Sequence, residues 1–171
     1  MVTEKTKEDL KQVLMDQTKD PYSKKSSAYY VIEDNDQQIF IVAPGKNGSE
    51  FNKTVGYFSS YPGMQTYQCL YGQGVFLIQR NDDEGEAKEF KIISLHPGRQ
   101  VLVPAGWGIC IVNSGNTLLV VLRNSLLDEK HKDSEPVLEK HGLAYYIVEK
   151  KGEISFDENP NYRLHPQIST E

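Results

Sequence analysis

The sequence has few of the residues that carry metal, redox or disulfide chemistry. It contains two cysteines, Cys69 and Cys110, and four histidines among 171 residues. Two cysteines are too few for a disulfide framework and form no second metal-ligand pair, so we interpret them as reduced, buried thiols. The histidines are expected at the surface, and none stands at His-x-His spacing. They are His96, His131, His141 and His165.

Long apolar runs and an excess of positive charge are also absent. No stretch approaches the roughly 18 apolar residues of a spanning helix, and residues 1–10 are charged, unlike the apolar centre of a signal peptide. The net charge is −5, and the basic residues are scattered, so no surface for nucleic-acid phosphates is indicated. We expect a cytoplasmic protein whose partners include neither a membrane nor a nucleic acid.

The length predicts one domain over residues 1–171, with its core over about 26–156. Before the core, the Thr6 and Asp9 spacing resembles a helix cap, and apolar residues follow at helical intervals. These are Leu10, Val13 and Leu14. A short N-terminal helix is therefore predicted over about 7–16. Two prolines and many polar residues predict an extended tail over 157–171.

Short runs of β-branched and aromatic residues, separated by turn residues, predict an all-β core. The predicted strands are 29–32, 39–42, 67–70, 75–78, 90–93, 101–103, 108–112 and 118–122. A closing hairpin is predicted from 143–148 and 153–156 around Lys151 and Gly152. Residues 130–140 fit either a short helix or a solvated loop. Such spacing is typical of an antiparallel sandwich or barrel.

Two stretches have more particular spacing than a generic barrel requires. The second stretch holds Gly98, Pro104, Gly106, Ile109 and Asn113, and the turn residues in it can form strand-to-strand corners. The first stretch holds Tyr57, Ser59, Gln65 and Gly72. The two resemble the paired motifs of cupins, which implies a double-stranded β-helix, or jelly-roll barrel.

In cupins the first motif supplies a His-x-His pair and a glutamate, and the second supplies another histidine, to bind Fe, Mn, Ni or Zn. The resemblance places Tyr57, Ser59, Gln65 and Ile109 at those positions. An alkyl group cannot ligate, and none of the four side chains is anionic at neutral pH. We therefore expect no metal and no other cofactor.

Two further stretches narrow the resemblance to the cupin-type glucose-6-phosphate isomerases of archaea and some bacteria. They are the turn from Lys53 to Gly56 and the ending from Asn159 to Tyr162. In that family a threonine and a glycine help to hold the sugar phosphate, which implies this role for Thr54 and Gly56. A strand threonine beside a turn glycine is the alternative interpretation. The resemblance also implies a homodimer.

Tyr67 matches a tyrosine that lines the family's substrate pocket, although tyrosines inside small barrels are more often core residues. The nearby cations Lys53, Arg80 and Arg99 are expected on the solvated surface.

Three functional hypotheses follow. The first is a non-catalytic or repurposed protein that binds a sugar phosphate or similar small anion. The others are an isomerase with a metal-independent or relocated site, and a structural barrel with a filled interior.

Overall fold

Alternating burial along the strands builds the core of this fold. In Gln37–Val42, for example, Gln38, Phe40 and Val42 are buried, whereas Ile39 and Ile41 are partly exposed on the opposite face. The computed structural model describes residues 1–18, 25–124 and 129–171. No helix within these ranges is long and apolar enough to cross a membrane.

The described ranges contain sixteen strands and one α-helix. The strands are β1 Val2–Thr6, β2 Ser27–Asp34, β3 Gln37–Val42, β4 Lys46–Asn47, β5 Glu50–Phe51, β6 Tyr57–Ser59, β7 Gln65–Tyr71, β8 Gly74–Asn81, β9 Ala87–Leu95, β10 Gln100–Val103, β11 Gly108–Val112, β12 Leu119–Asn124, β13 Lys132–Asp133, β14 Tyr145–Lys150, β15 Glu153–Glu158 and β16 Ile168–Thr170. The helix is α1, Glu135–Glu139, and two 3-10 turns span Lys11–Val13 and Glu129–His131. Every predicted core strand and the predicted hairpin are confirmed.

Two six-stranded sheets form the barrel. One has the order β1-β2-β3-β12-β7-β10 and the other the order β13-β6-β11-β8-β9-β16. Because the chain passes repeatedly between them, β12 lies between β3 and β7, and β11 lies between β6 and β8. This interleaving is the predicted double-stranded β-helix. A third sheet, of order β15-β14-β5-β4, pairs the short strands β4 and β5 with the hairpin of β14 and β15.

Aromatic side chains join the two large sheets across the interior. Tyr67 of β7 and Phe76 of β8 have ring centroids 4.7 Å apart, and both side chains are fully buried. Tyr67 also lies 6.5 Å from the ring of Phe40 on β3. Cys69 and Cys110 are buried free thiols, as predicted. The inward face of β7 is therefore part of one continuous apolar core.

The predicted N-terminal helix is wrong in form and extent. β1 ends at Thr6, directly before the predicted span, and the helical part of that span is the 3-10 turn Lys11–Val13. The predicted cap is real, since Thr6 N–H donates to the Asp9 carboxylate at 2.7 Å. The turn ends early because side chains from distant positions form hydrogen bonds with the backbone groups at its end. Lys53 Nζ donates to the Val13 carbonyl at 2.6 Å, and Met15 N–H donates to the Glu50 carboxylate at 2.9 Å.

The predicted extended tail is bound to the barrel. β15 runs one residue past position 157, and β16 then adds a parallel strand to β9. The chain between these strands donates two backbone hydrogen bonds to the Glu86 carboxylate, from Arg163 N–H at 2.7 Å and from Leu164 N–H at 3.3 Å. Lys140 Nζ donates to the same carboxylate at 3.0 Å. Glu86 is therefore an anchor for the tail.

We predict that Glu86→Gln lowers the melting temperature by several degrees at pH 7. The hydrogen bond from Lys140, and then those from Arg163 and Leu164, lower the pKa of Glu86 to about 2 from an ordinary 4.5. A carboxyl group whose pKa is lower in the folded chain stabilises the fold at pH values above its unfolded pKa. This contribution disappears as the pH falls through the folded pKa. The difference between the two proteins should therefore shrink between pH 4.5 and pH 2 in thermal melts.

Glu89→Gln is the matched control, because Glu89 pairs with Arg80 at the surface. The Glu89 side chain is 42% exposed and the Arg80 side chain is 40% exposed. An exposed pair of this kind contributes little. Equal losses of stability in the two variants, or a pH-independent loss in Glu86→Gln, would contradict the anchoring role.

Candidate functional site

Residues 52–56 run antiparallel to β11 and place the candidate site against it. Thr54 N–H donates to the Ile111 carbonyl at 2.9 Å, and Asn113 N–H donates to the Asn52 carbonyl at 2.9 Å. Lys53 forms a bridge opposite Val112. Backbone pairing alone therefore fixes this segment to the barrel.

Close approach of the two backbones explains the glycine at position 56. Gly56 has φ +90°, and a Cβ there would lie 2.7 Å from the Ile109 carbonyl oxygen. A side chain would therefore be strained and would also push β11 away. Ser134 Oγ donates to the Gly56 carbonyl at 3.0 Å, which holds the start of α1 against the same turn.

The expectation that Lys53 is solvated is wrong. Its side chain is 7% exposed and forms an ion pair with Glu50 at 2.7 Å, and Glu50 is 1% exposed. Its ammonium also lies 4.9 Å from the centroid of the Tyr146 ring. A buried charge requires such partners, and here Glu50 lies three residues before Lys53, whereas Tyr146 comes from a distant strand. Arg80 and Arg99, by contrast, are partly exposed, at 40% and 34%.

Three of the sequence-predicted site residues form one buried hydrogen-bonded cluster. The Tyr67 hydroxyl donates to Gln65 Oε1 at 3.0 Å, and the Tyr57 hydroxyl bonds both to the Tyr67 hydroxyl and, at 3.5 Å, to the same oxygen. Burial raises the pKa of Tyr67 well above its usual value; Tyr57 adds to the rise, and the charge of Arg123 opposes it. Burial therefore keeps the Tyr67 hydroxyl protonated, and both hydroxyl protons are used within the cluster.

The other two positions that the cupin resemblance matches to metal ligands do not add a donor to this cluster. Ile109 lies on β11 opposite Tyr57 and Ile78, and its alkyl side chain is 1% exposed. The Ser59 hydroxyl oxygen accepts a hydrogen bond from Tyr61 N–H at 3.1 Å. Within the residues that the structure describes, no three His, Cys, Asp or Glu side chains are grouped to hold a metal. The residues present do not fit a divalent ion.

A cleft of about 560 Å³ opens beside the cluster. Thr54, Gly56 and Tyr57 line it together with Tyr29 and Lys132, whereas Tyr67 does not reach its wall. This volume is within the range of small-molecule sites. The structure therefore brings three of the seven sequence-predicted positions to one opening.

Thr54 has a structural role in this wall. Its hydroxyl oxygen accepts a hydrogen bond from Ile111 N–H at 3.0 Å and lies 3.8 Å from the Cys110 sulfur. The side chain is 3% exposed. This geometry favours the strand-threonine interpretation for the hydroxyl group, and Gly56 lies in the same wall of the cleft.

Sequence reasoning missed two cations beside the cluster. Arg123 is 1% exposed on the inward face of β12, and its Nε donates to Gln38 Oε1 at 3.1 Å. Lys132 Nζ donates to the same oxygen at 2.9 Å and lies 5.4 Å from the centroid of the Tyr57 ring. Strand alternation could have revealed Arg123, because Leu119, Val121 and Arg123 share one face.

The interleaved strands and the two motifs define this chain as a cupin-type barrel. Its sequence matches the family described as "Glucose-6-phosphate isomerase (GPI)" over residues 5–164, and the chain belongs to that family. The glucose-6-phosphate isomerase of Thermococcus litoralis is 34% identical over 125 residues, which are 72% of this chain and 62% of that protein. The one from Pyrococcus furiosus is 34% identical over 124 residues, with the same two shares. The aligned part is less than two thirds of either relative.

Solved cupin structures show weaker similarity. An oxalate decarboxylase from Lactobacillus farciminis, in a formate complex, has a TM-score of 0.47 and 13% identity over 67% of this chain and 32% of that chain. The Drosophila melanogaster CENP-C cupin domain has a TM-score of 0.43 and 11% identity over 54% of this chain and 62% of that chain.

We predict that Gly56→Ala destabilises the protein by about 1–3 kcal/mol more than Gly98→Ala, because overpacking adds this much to backbone strain. The two glycines have nearly equal φ values, +90° and +91°, but a Cβ at Gly98 would have no atom within 4 Å. The matched pair therefore separates the clash with Ile109 from the strain of the left-handed conformation. Urea unfolding of both variants measures the difference, and equal losses would contradict the close approach.

Proposed function

We propose that this chain is a non-catalytic or repurposed member of its family that binds a sugar phosphate or a similar small anion without a metal. The observation that supports this proposal is the cleft in which Gly56, Tyr57 and Lys132 meet beside a set of former ligand positions that cannot bind a metal. A cation at the wall of a cleft is suited to an anion. A cytoplasmic location remains a prediction.

The chemistry of the site argues against turnover. Interconversion of an aldose and a ketose phosphate moves hydrogen between C1 and C2, and a proton route needs a base, which contributes about 10²–10⁴-fold. Gln65 is an amide, and burial keeps Tyr67 protonated because its pKa is raised. A hydride route needs an electrophile at the carbonyl oxygen, and neutral phenols are weak substitutes for a metal. The side chains at the former ligand positions can bind, but none of them is a base.

Family membership supports a second candidate function, an active isomerase that uses a metal-independent or relocated site. The buried Tyr57, Gln65, Tyr67 and Ile109 support a third, a structural barrel whose former metal region is filled. The 560 Å³ cleft favours binding over a purely structural role. The three functions give different results with substrate.

We predict that the purified protein binds fructose 6-phosphate in isothermal titration and contains far less than one equivalent of metal per chain by elemental analysis. A coupled assay with glucose 6-phosphate and fructose 6-phosphate should show no turnover, with or without added Mn, Fe, Ni or Zn. Stoichiometric metal would overturn the metal-free site. Measurable turnover would establish the second candidate, and no binding would establish the third.

We also propose a homodimer formed through the outer face of the first six-stranded sheet. On β3 and β12 the outward residues Ile39 and Leu122 are paired across the strands, as are Ile41 and Val120. On the neighbouring β2, Tyr30 and Ile32 pair with Ile41 and Ile39 and widen this face, and Tyr30 is 36% exposed. A contiguous apolar sheet face is typical of an interface, and a second copy offers a self-complementary surface.

We predict that Ile41→Lys together with Leu122→Lys gives a monomer in light scattering at concentrations where the unchanged protein is a dimer. The reason is that an interface would have to bury the two added ammonium groups without any opposite charge, and the desolvation cost of doing so is large. Ser94→Lys, at an exposed position of β9 in the other sheet, should leave the dimer intact. A monomeric unchanged protein, or a dimer that survives both lysines, would contradict this interface.

A further inference from the structure

A second pocket, of about 280 Å³, lies where residues of β8 and β9 in one large sheet meet residues of β10 in the other. Three aliphatic side chains in its lining are each 3% exposed, namely Ile78, Ile93 and Val101. Trp107, the single tryptophan of the chain, is 9% exposed and lines the same pocket. The described residues that line this pocket and those that line the 560 Å³ cleft do not overlap, so the two openings are separate.

Lys91 brings a positive charge without a carboxylate partner to this pocket. It pairs with Ile78 across β9 and β8, which places both side chains on the same face of the sheet. Its ammonium lies 5.7 Å from the centroid of the Trp107 ring, and it forms no ion pair with a carboxylate among residues 1–18, 25–124 and 129–171. Arg80 also approaches this ring, at 6.0 Å, but it is paired with Glu89.

Arg99 brings a second positive charge to the rim of the pocket. Its side chain is 34% exposed, and its guanidinium lies 3.9 Å from the Glu171 carboxylate, whose side chain is 49% exposed. An exposed pair of this kind contributes little to stability, so another anion can replace Glu171 at Arg99. The lining of the pocket therefore carries two cations and only one loosely held carboxylate.

We propose that this pocket is a second binding site, and that its ligand is a small aromatic carboxylate. The ring lies on the aliphatic side chains and Trp107, and the carboxylate lies between Lys91 and Arg99. This proposal is independent of the function proposed for the cleft, because it uses none of the residues that line the cleft.

The two kinds of lining lead to this ligand class. Inorganic phosphate pairs with the cations but leaves the apolar lining in contact with water, whereas a neutral ring covers the apolar lining and leaves Lys91 without a counter-charge. An aromatic carboxylate gains both contributions, and its ring packs favourably against an indole. The volume of the pocket lies just below the range of about 300–1,000 Å³ that is typical of drug-sized ligands, which suits a molecule with one ring.

The test compares benzoate with benzamide, two probes of nearly the same shape that differ in charge. Fluorescence titration of the full chain reports on this pocket directly, because Trp107 is the single tryptophan. Benzoate should change the emission saturably. Benzamide and inorganic phosphate should each bind at least about tenfold more weakly, the value of one charge-assisted hydrogen bond.

Two variants with opposite expected effects test the roles of the charged residues. Lys91→Met removes the charge and keeps the aliphatic chain, so it should weaken benzoate binding about tenfold and change benzamide binding by less than about twofold. Glu171→Gln should strengthen benzoate binding several-fold, because it removes the competing carboxylate from Arg99. Lys88→Met, at an exposed position of the same strand, is the matched control and should change neither affinity.

Opposite shifts in the Lys91 and Glu171 variants exclude a merely structural effect, since damage to the fold would weaken binding in both. A saturating concentration of fructose 6-phosphate should leave the benzoate midpoint unchanged, and displacement of benzoate would place it in the cleft and overturn the second site. Equal affinities for benzoate and benzamide, or no saturable change in Trp107 emission, would also overturn the proposal. Neither of these two results bears on anion binding in the cleft, which the fructose 6-phosphate titration measures separately.

Discussion

The pairing of residues 52–56 with β11 is the constraint on which the rest of the structure depends. Asn52 connects this segment to the first six-stranded sheet, because its Nδ2 donates to the Ala28 and Ala43 carbonyls at 2.9 and 2.7 Å. Lys53 extends it to the N-terminal segment through the Val13 carbonyl and to β5 through Glu50. One short segment therefore joins both large sheets and the N-terminal turn, and it also forms the wall of the cleft.

The barrel was predictable because its physical signal is local. Short runs of β-branched and aromatic residues on strands such as β3 and β12, with glycine and proline at the corners, specify strands and turns without knowledge of the tertiary partners. The N-terminal helix failed for the opposite reason. Leu10, Val13 and Leu14 are buried as their spacing indicated, but Lys53 and Glu50 capture the backbone groups that a longer helix would use. That competition spans about 40 residues of sequence, as Lys53 and Val13 are 40 positions apart.

The candidate site was predictable in part. Motif spacing brought Tyr57, Gln65 and Tyr67 together in one cluster, since the spacing of a strand-turn-strand unit determines which side chains meet. The same spacing gave no information about Lys132, whose partner Gln38 is 94 positions away. Lys53 shows the same limit, because a lysine next to a turn has no sequence signal that distinguishes a solvated from a buried ammonium. The burial of a charge is decided by partners that only the folded chain provides.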